Sequence, residues 1–187
     1  MKYSLWFKNY LKNPLKLGAM LPSGEHLGLK MTEHFKHWNG GYVLELGPGI
    51  GSFTDAILQR GVSEDKLILI EQSLDFVLYL KSKYPLANII HGNALDLKRH
   101  ILALGVEKVE SIVSGIPLVS IGRSLGTQIC DNSFEVLQSS GSISQVTYFM
   151  VCPVPEKIIL KHHATKKFSG IVIKNFPPAF VWIVSKP

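Results

Sequence analysis

The sequence predicts an α/β fold in which a mostly parallel sheet carries helices on both faces. Three observations support this class. From Tyr42 onward, short apolar runs typical of buried parallel strands alternate with stretches of helical periodicity. A loop with three glycines, Gly47, Gly49 and Gly51, separates the first apolar run from the first helical stretch. The chain of 187 residues shows no internal repeat or linker-like tract, so one domain is expected.

Each element follows from its local pattern. Five short apolar runs predict parallel strands at residues 42–46, 67–70, 88–91, 109–113 and 142–150. Helices, mostly closed by a glycine or a proline, are predicted at residues 52–60, 74–83, 95–104 and 120–137. The last two runs, 171–174 and 179–184, flank two prolines and predict an antiparallel C-terminal pair. We expect a seven-stranded, doubly wound sheet, which binds its ligand at the carboxyl ends of the strands.

Composition limits the class of protein. Hydrophobic residues make up 46% of the chain and charged residues 18%, which is typical of a globular protein. No apolar stretch approaches the roughly 20 residues that a membrane-spanning helix needs. Cys130 and Cys152 are too few for a disulfide framework, and the seven histidines show no metal-ligand spacing. The sequence therefore predicts no metal site, no transmembrane segment and a reducing, cytoplasmic location.

Positive charge is concentrated at the two ends of the chain. Residues 1–40 carry a net charge of +4 and residues 151–187 a net charge of +5, whereas residues 41–150 carry −3. Basic ends around an acidic centre indicate contact with a polyanion, either an anionic membrane surface or nucleic acid. Solubility alone is the simpler alternative.

Residues 1–40 are predicted to form an arm beside the domain at residues 41–187. At 100° per residue, its aromatic side chains fall on one side and its lysines on the other: Trp6, Phe7 and Tyr10 against Lys8, Lys12 and Lys16. Such a helix is typical of one that lies in a membrane interface. We expect peripheral binding to the inner leaflet of the cytoplasmic membrane. A surface helix packed on the domain and a nucleic-acid-binding helix are the alternatives.

The glycine loop indicates a cofactor site. Glycines between a strand and a helix let the backbone approach a ligand closely, and the helix N-terminus offers free N–H groups. Glu45 precedes the loop, and Glu71 ends the second strand, where it suits the hydroxyls of a ribose. The spacing G-x-G-x-G favours S-adenosylmethionine (SAM) over a nicotinamide or flavin cofactor. A purely structural glycine turn is the other alternative.

Further predicted cofactor residues follow the later strands. Asn93 and Ala94 follow the third strand, and the amide oxygen of Asn93 can accept a hydrogen bond from the adenine amino group. Ser114 follows the fourth strand, where the methyl acceptor is also expected. The predicted SAM-binding residues are Glu45, Gly47, Pro48, Gly49, Gly51, Glu71, Gln72, Asn93, Ala94 and Ser114.

Four segments together resemble the bacterial phospholipid N-methyltransferases, which are class I, Rossmann-like SAM-dependent enzymes. They are VLELGPGIGSF at 43–53, SGIPL at 114–118, QVTY at 145–148 and NFPPAFVW at 175–182. Pro14 and residues 18–23 fit the same pattern, so the resemblance spans essentially the whole chain. It implies successive methylation of phosphatidylethanolamine toward phosphatidylcholine at the cytoplasmic membrane face.

The resemblance also implies the acceptor site. It gives Tyr148 the role of positioning the amine near the methyl group. The backbone from Gly115 to Leu118 can accept a hydrogen bond from the amine, and Pro117 keeps that turn rigid. The amine must lose a proton before it reacts, for which Glu25, His162 and His163 are further candidates. The predicted catalytic residues are Tyr148, Ser114, Gly115, Ile116 and Pro117.

Ribosomal RNA adenine dimethyltransferases share the E-x-G-P-G-x-G loop and provide the main alternative. After the fourth strand they carry an asparagine and an aromatic residue that stacks on the target adenine. Here that region reads Ser114 to Leu118, with neither residue type, and base recognition commonly depends on such stacking. RNA is therefore the less favoured acceptor, and a SAM-binding module without catalysis is a third alternative. The sequence does not predict an oligomeric state.

Overall fold

The computed structural model describes residues 24–175 and 177–187. Within them the strands are β1 Val43–Leu46, β2 Leu67–Glu71, β3 Asn88–His91, β4 Val109–Ser114, β5 Leu137–Thr147, β6 Thr165–Val172 and β7 Ala179–Ser185. The α-helices are α1 Glu25–Met31, α2 Ser52–Gln59, α3 Leu74–Lys83, α4 Leu97–Ala103, α5 Arg123–Val136 and α6 Glu156–Lys161. Short 3-10 turns cover Glu33–His37, Glu64–Lys66 and Ala94–Asp96.

The seven strands form one sheet in the order β3-β2-β1-β4-β5-β7-β6. The first five strands in this order are parallel, and β7 runs antiparallel to both of its neighbours. Strand order reverses on either side of β1, where Leu46 pairs with Ile70 of β2 and with Ser114 of β4. The carboxyl ends of four parallel strands therefore meet at one edge, which is the expected place for a ligand. The predicted fold class is confirmed.

Hydrophobic cores lie on both faces of the sheet, because successive side chains of a buried strand point to opposite sides. Val43 and Leu44 are both fully buried, yet they belong to different clusters. One cluster joins the sheet to α1, α2 and α3 through Leu27, Ile57 and Leu80. The other joins it to α4, α5 and α6, and includes Ile101, Phe134 and Ile158. The helices on both faces follow from this alternation.

The part of the predicted arm that the structure describes packs onto the domain. Leu27 and Met31 of α1 are fully buried, and a Cβ on Gly28 would lie only 2.9 Å from the Cβ of Ala56 in α2. Arg60 donates to the carbonyl of Leu29 at 2.9 Å. Residues 24–31 are thus held by the sheet and by α2. The six predicted membrane-binding residues, from Trp6 to Lys16, lie outside the described residues, so their role stays a prediction.

Three predicted elements differ from the structure by more than two residues at an end. The strand predicted at 142–150 is β5 Leu137–Thr147, which begins five residues earlier and ends at Thr147, whose Oγ1 accepts the N–H of Phe149 at 3.2 Å and turns the chain. The helix expected from Ser120 begins at Arg123, because Ser120 and Ile121 form a turn on the carbonyl of Pro117. The first C-terminal strand starts at Thr165 rather than 171.

Two causes account for what sequence reasoning missed. The lysines of β6 hide its periodicity, although charge is common on an edge strand such as this one. The helices α1 and α6 have seven and six residues, too few for a reliable 3.6-residue pattern. Among the described residues, no helix is long and apolar enough to span a bilayer.

Candidate active site

A cavity of about 360 Å³ opens at the carboxyl ends of the parallel strands. Its volume falls within the range of small-molecule sites, roughly 300–1,000 Å³. One end, which we call the loop end, is lined by the glycine loop and the residues that follow β2 and β3. The other, which we call the acceptor end, is lined by Gly115, Ile116, Pro117, Ile121, Leu125 and Tyr148.

Most predicted site residues line this cavity. At the loop end these are Gly47, Pro48, Gly49, Glu71, Gln72, Asn93 and Ala94. At the acceptor end these are Gly115, Ile116, Pro117 and Tyr148. Three predicted residues, Glu45, Gly51 and Ser114, do not line it. The sequence therefore located the cavity, whereas the contacts assign several of its residues to supporting positions.

The glycine loop requires glycine at two kinds of position. Gly49 has φ +56°, and a Cβ there would meet no atom within 4 Å, so the residue faces open space in the cavity wall. Gly51 has φ +79°, and a Cβ there would lie 2.5 Å from the Tyr84 hydroxyl oxygen. Gly49 thus shapes the ligand-facing surface, whereas Gly51 lets α3 and the following tyrosine pack beneath the loop.

Glu71 ties the loop to the end of β2. Its Oε2 accepts the Gly49 N–H at 3.0 Å, and its Oε1 accepts the Ser73 N–H at 2.8 Å. Burial raises the pKa of this carboxyl, while hydrogen bonds from Ser73, Gly49 and Gln72 act in the opposite direction. Each carboxylate oxygen can accept more than one hydrogen bond, so Glu71 can hold the loop and still accept from a ligand hydroxyl.

Glu45 lies beneath the loop instead of in the cavity wall. Its side chain is completely buried in β1, and its Oε2 accepts the Thr54 hydroxyl at 2.6 Å. The other oxygen, Oε1, has no hydrogen-bond partner. Burial raises the pKa of Glu45 to about 8, with the charges of Asp55 and Glu71 adding to the effect. The predicted direct contact with the SAM amino group is therefore not what this arrangement shows.

Asn93 also has a structural partner. Its Oδ1 accepts the Leu95 N–H at 3.0 Å and so caps the turn Ala94–Asp96. Capping of this kind satisfies an N–H group that the start of a helical turn leaves free. The oxygen predicted to accept from adenine thus already holds one hydrogen bond, and its second lone pair stays available in the cavity wall.

Ser114 is buried at the end of β4 and not in the cavity wall. It is 2% exposed and its Oγ has no hydrogen-bond partner. The register explains this, because Ser114 lies between Leu46 of β1 and Gln145 of β5. It supports the turn at Gly115, whose N–H donates to the Leu46 carbonyl at 2.9 Å.

Gln145 is a site residue that the sequence-based assignment omitted. The side chain is 1% exposed, and its Nε2 donates to the carbonyl of Ile116 at 2.9 Å and to that of Val146 at 2.8 Å. Because Ile116 lines the cavity, Gln145 fixes the wall of the acceptor end. Its place in the QVTY segment was the available signal, since a buried glutamine within an apolar strand needs partners.

Tyr148 and Asn175 join two distant segments at the acceptor end. Their side chains are hydrogen bonded, and Asn175 also donates to the carbonyl of Pro177 at 2.8 Å. The Asn175 Oδ1 accepts the N–H of Gly24 at 3.3 Å, so the start of the described chain lies here as well. Burial raises the pKa of Tyr148, which keeps the hydroxyl protonated at neutral pH. Tyr148 is thus suited to hydrogen bonding and not to acting as a base.

The remaining candidates for proton transfer do not line the cavity. His162 is paired with Asp131 at 2.7 Å and stacked on Phe134, and Glu25 is exposed on α1. Neither of these, nor His163, lines the cavity. The six lining residues of the acceptor end carry no carboxylate, imidazole or amine. This end is therefore an apolar chamber with one hydroxyl and several backbone carbonyls.

Several solved methyltransferase structures share the fold of this chain. TrmN of Thermus thermophilus matches with a TM-score of 0.61 and 10% identity, over 87% of this chain and 49% of that one. The T. thermophilus 16S rRNA N2 G1207 methyltransferase, solved with AdoMet and guanosine, matches with a TM-score of 0.65 and 17% identity, over 89% of this chain and 44% of that one. A SAM-dependent methyltransferase of Archaeoglobus fulgidus matches with a TM-score of 0.62 and 13% identity, over 97% of this chain and 99% of that one. The chain thus spans about half the length of the first two proteins.

The fold is that of solved SAM-dependent methyltransferases, and the cavity lies at the sheet edge where the sequence predicts the SAM site. Among curated proteins, the chain is similar to the ornithine lipid N-methyltransferase of Singulisphaera acidiphila. The two are 26% identical over 148 residues, which cover 78% of this chain and 77% of the relative. No protein-family model matches the chain.

Proposed function

We propose that this protein transfers methyl groups from SAM to the amine headgroup of a membrane lipid, with phosphatidylethanolamine and its partly methylated products as the leading acceptors. One observation carries the proposal: a single cavity joins a loop end built from glycines and a carboxylate to an apolar acceptor end without charged side chains. The first end suits a polar cofactor, and the second suits an uncharged amine.

The loop end fits SAM. Gly47 and Gly49 leave the backbone open for close approach, and the Glu71 carboxylate keeps lone pairs for ribose hydroxyls. Phe76, Leu95 and Ile129 provide apolar walls suited to an adenine ring. When bound, SAM supplies a methyl group on a positively charged sulfur. The contribution of the chain is to hold the reactants in line and to exclude water.

The acceptor end accounts for amine selection without a general base. An ammonium group is poorly stabilised among Ile116, Ile121 and Leu125, so burial there lowers its pKa and favours the neutral amine. The proton then leaves to water before the headgroup enters. The Tyr148 hydroxyl can accept one of the remaining N–H hydrogens and direct the nitrogen lone pair. The carbonyls of Ile116 and Pro117 each already accept two hydrogen bonds within the protein.

The relative supports a lipid acceptor. The S. acidiphila protein is described as acting on the nitrogen of an ornithine lipid. Ornithine and ethanolamine headgroups both present a primary amine at a membrane surface, so the same chamber suits either. The predicted arm, residues 1–40, would add binding to an anionic surface, with roughly 1 kcal/mol for each lysine near the membrane.

RNA is the weaker acceptor for a structural reason. Leu118 follows Pro117, where the related RNA enzymes carry an aromatic residue. It is 5% exposed and belongs to the hydrophobic core, so it offers no surface on which a base could stack. The structural similarity to RNA methyltransferases is below 20% identity and extends to the fold alone.

The test is transfer of a radiolabelled methyl group from SAM into lipid vesicles. Parallel reactions would contain phosphatidylethanolamine with an anionic phospholipid, an ornithine lipid with the same anionic phospholipid, or the anionic phospholipid alone. We expect labelled mono-, di- or trimethylated lipid in the first reaction and none in the third. Labelled product in the second reaction alone would show that the acceptor is an ornithine lipid and not phosphatidylethanolamine. SAM binding without labelled lipid in any reaction would contradict the proposal.

A further inference from the structure

An exposed apolar surface borders the acceptor end of the cavity. We call it the apolar rim, and it consists of Val119, Leu125, Phe149, Met150 and Val151. The three consecutive residues after Tyr148 are 55%, 70% and 73% exposed. Runs of consecutive exposed apolar residues are unfavourable on a protein surface unless they serve a function. The rim therefore needs an explanation.

The rim lies at the mouth of the cavity. Leu125 itself lines the cavity, and Val119 lies between the lining residues Pro117 and Ile121. Phe149 directly follows the lining residue Tyr148, and its N–H is bound by Thr147, which turns the chain out of the sheet. Two separate loops thus place apolar side chains around the same opening.

Few charges lie in the two segments that carry the rim. Residues 115–130 carry one charged residue, Arg123, and residues 136–155 carry none. The turn after β6, which contacts Tyr148 through Asn175, carries exposed Ile173 and Lys174. Apolar side chains with Arg123 and Lys174 beside them complement a surface with anionic headgroups and an apolar interior, although Glu33 shares a groove with Lys174 and the exposed Glu25 follows Gly24.

Gly24, the first described residue, lies beside the acceptor end of the cavity. The N–H of Gly24 donates to Asn175, which is hydrogen bonded to Tyr148. The lysine-rich segment at residues 1–23 therefore joins the domain beside the acceptor end. Both the rim and the attachment of this segment lie on the side of the molecule from which a lipid headgroup would reach the cavity.

We propose that the apolar rim inserts into an anionic lipid bilayer and sets the cavity mouth against the headgroups, so that the acceptor enters without crossing water. This inference rests on the proposed function and deepens it. The rim side chains enter the boundary between headgroups and acyl chains, while Arg123 and Lys174 contact lipid phosphates. The apolar acceptor chamber then continues directly from the apolar part of the membrane.

The experiment compares Met150→Asp with Leu86→Asp in the full chain. Met150 and Leu86 are almost equally exposed, at 70% and 69%, but Leu86 precedes β3 and does not line the cavity. Partition into vesicles of phosphatidylethanolamine and phosphatidylglycerol would be measured by co-sedimentation. We expect Met150→Asp to weaken partition by about tenfold or more, because one apolar anchor is lost and a charge is introduced. Leu86→Asp should stay within about twofold of the parent, as for other remote surface changes.

Two further measurements separate the possible failures. SAM affinity by calorimetry should be unchanged in both variants, which shows that each is folded. Methylation of lipid dispersed in detergent micelles should survive in Met150→Asp while methylation in vesicles falls. Equal vesicle partition of the two variants would overturn the rim proposal, even if the parent protein methylates lipid. If Met150→Asp alone weakened vesicle partition but the parent protein methylated no lipid, the rim proposal would be supported and the proposed function refuted. Weaker binding of a single-stranded RNA with unchanged vesicle partition would assign the surface to RNA instead.

Discussion

The two ends of the cavity are built in different ways. The loop end comes from short segments that follow β1, β2 and β3, and its main contact, from Gly49 to Glu71, joins the ends of two neighbouring strands. The acceptor end is assembled from segments far apart in sequence, with Gln145 holding Ile116 and Asn175 holding Tyr148. The loop end is polar and the acceptor end apolar. The shape of the loop end thus depends on the backbone conformation of its glycines, whereas the shape of the acceptor end depends on buried side-chain hydrogen bonds.

The largest expected effect concerns the buried carboxyl beneath the loop end. In the folded protein the pKa of Glu45 is raised from 4.5 to about 8. A group whose pKa is raised by folding contributes stability that is fully present below its unfolded pKa and is lost as pH rises through its folded pKa. We expect the free energy of unfolding to fall by about 3 kcal/mol between pH 5 and pH 8 on account of Glu45.

Glu45→Gln should remove this pH dependence, because the amide keeps an acceptor for Thr54 but does not ionise. Urea unfolding at several pH values measures the effect. Glu107→Gln, at an exposed position, is the matched control and should leave the dependence in place. A Glu45→Gln protein with the same pH dependence as the parent would show that this carboxyl is not the titrating group.

The second effect tests the backbone of the loop end. Gly49→Val places a β-branched residue at φ +56°, where it is strained by about 2–3 kcal/mol or displaces the loop. SAM affinity should fall by roughly 30-fold or more, as that strain implies. Calorimetric titration with SAM provides the measurement.

Gly61→Val is the control for the loop variant. Gly61 has φ +88° and equally open surroundings, but it follows α2 and does not line the cavity. It should lose stability while keeping its SAM affinity. Normal SAM affinity in Gly49→Val would contradict the assignment of the loop end to the cofactor.

The smallest effect concerns the acceptor end. Tyr148→Phe removes the hydrogen bond to Asn175 and one acceptor for the amine. The wall of the acceptor end becomes less rigid, and the amine is positioned less precisely. We expect kcat to fall by about tenfold, equivalent to roughly 1.4 kcal/mol, with SAM affinity within about twofold of the parent. Steady-state kinetics with lipid vesicles, together with SAM titration, would separate the two.

Tyr79→Phe serves as the matched control, because Tyr79 packs against the core and does not line the cavity. It should leave kcat unchanged. If Tyr148→Phe weakened SAM binding as strongly as it lowered turnover, the division of the cavity into two functional ends would not hold.

Sequence reasoning was most successful where structure depends on local patterns. The apolar runs predicted all five parallel strands, because strands buried on both faces, such as β1 and β2, consist mostly of apolar residues. The three glycines marked the loop correctly, because only glycine readily adopts the positive φ found at all three positions. The strand endings then placed Glu71, Asn93 and Gly115 at one edge of the sheet.

The tertiary structure alone decided the roles of individual side chains. Glu45 and Ser114 precede cavity residues in sequence, yet the sheet buries them because neighbouring strands cover both sides. Asn93 caps a turn whose geometry the sequence did not reveal. Gln145 gained its role from the parallel pairing of β4 and β5, and Tyr148 from the antiparallel C-terminal strands that bring Asn175 to it. Local propensity fixes which residues form strands and loops, whereas burial and hydrogen-bond partners depend on how those elements pack, with partners from two residues away for Asn93 to 29 for Gln145.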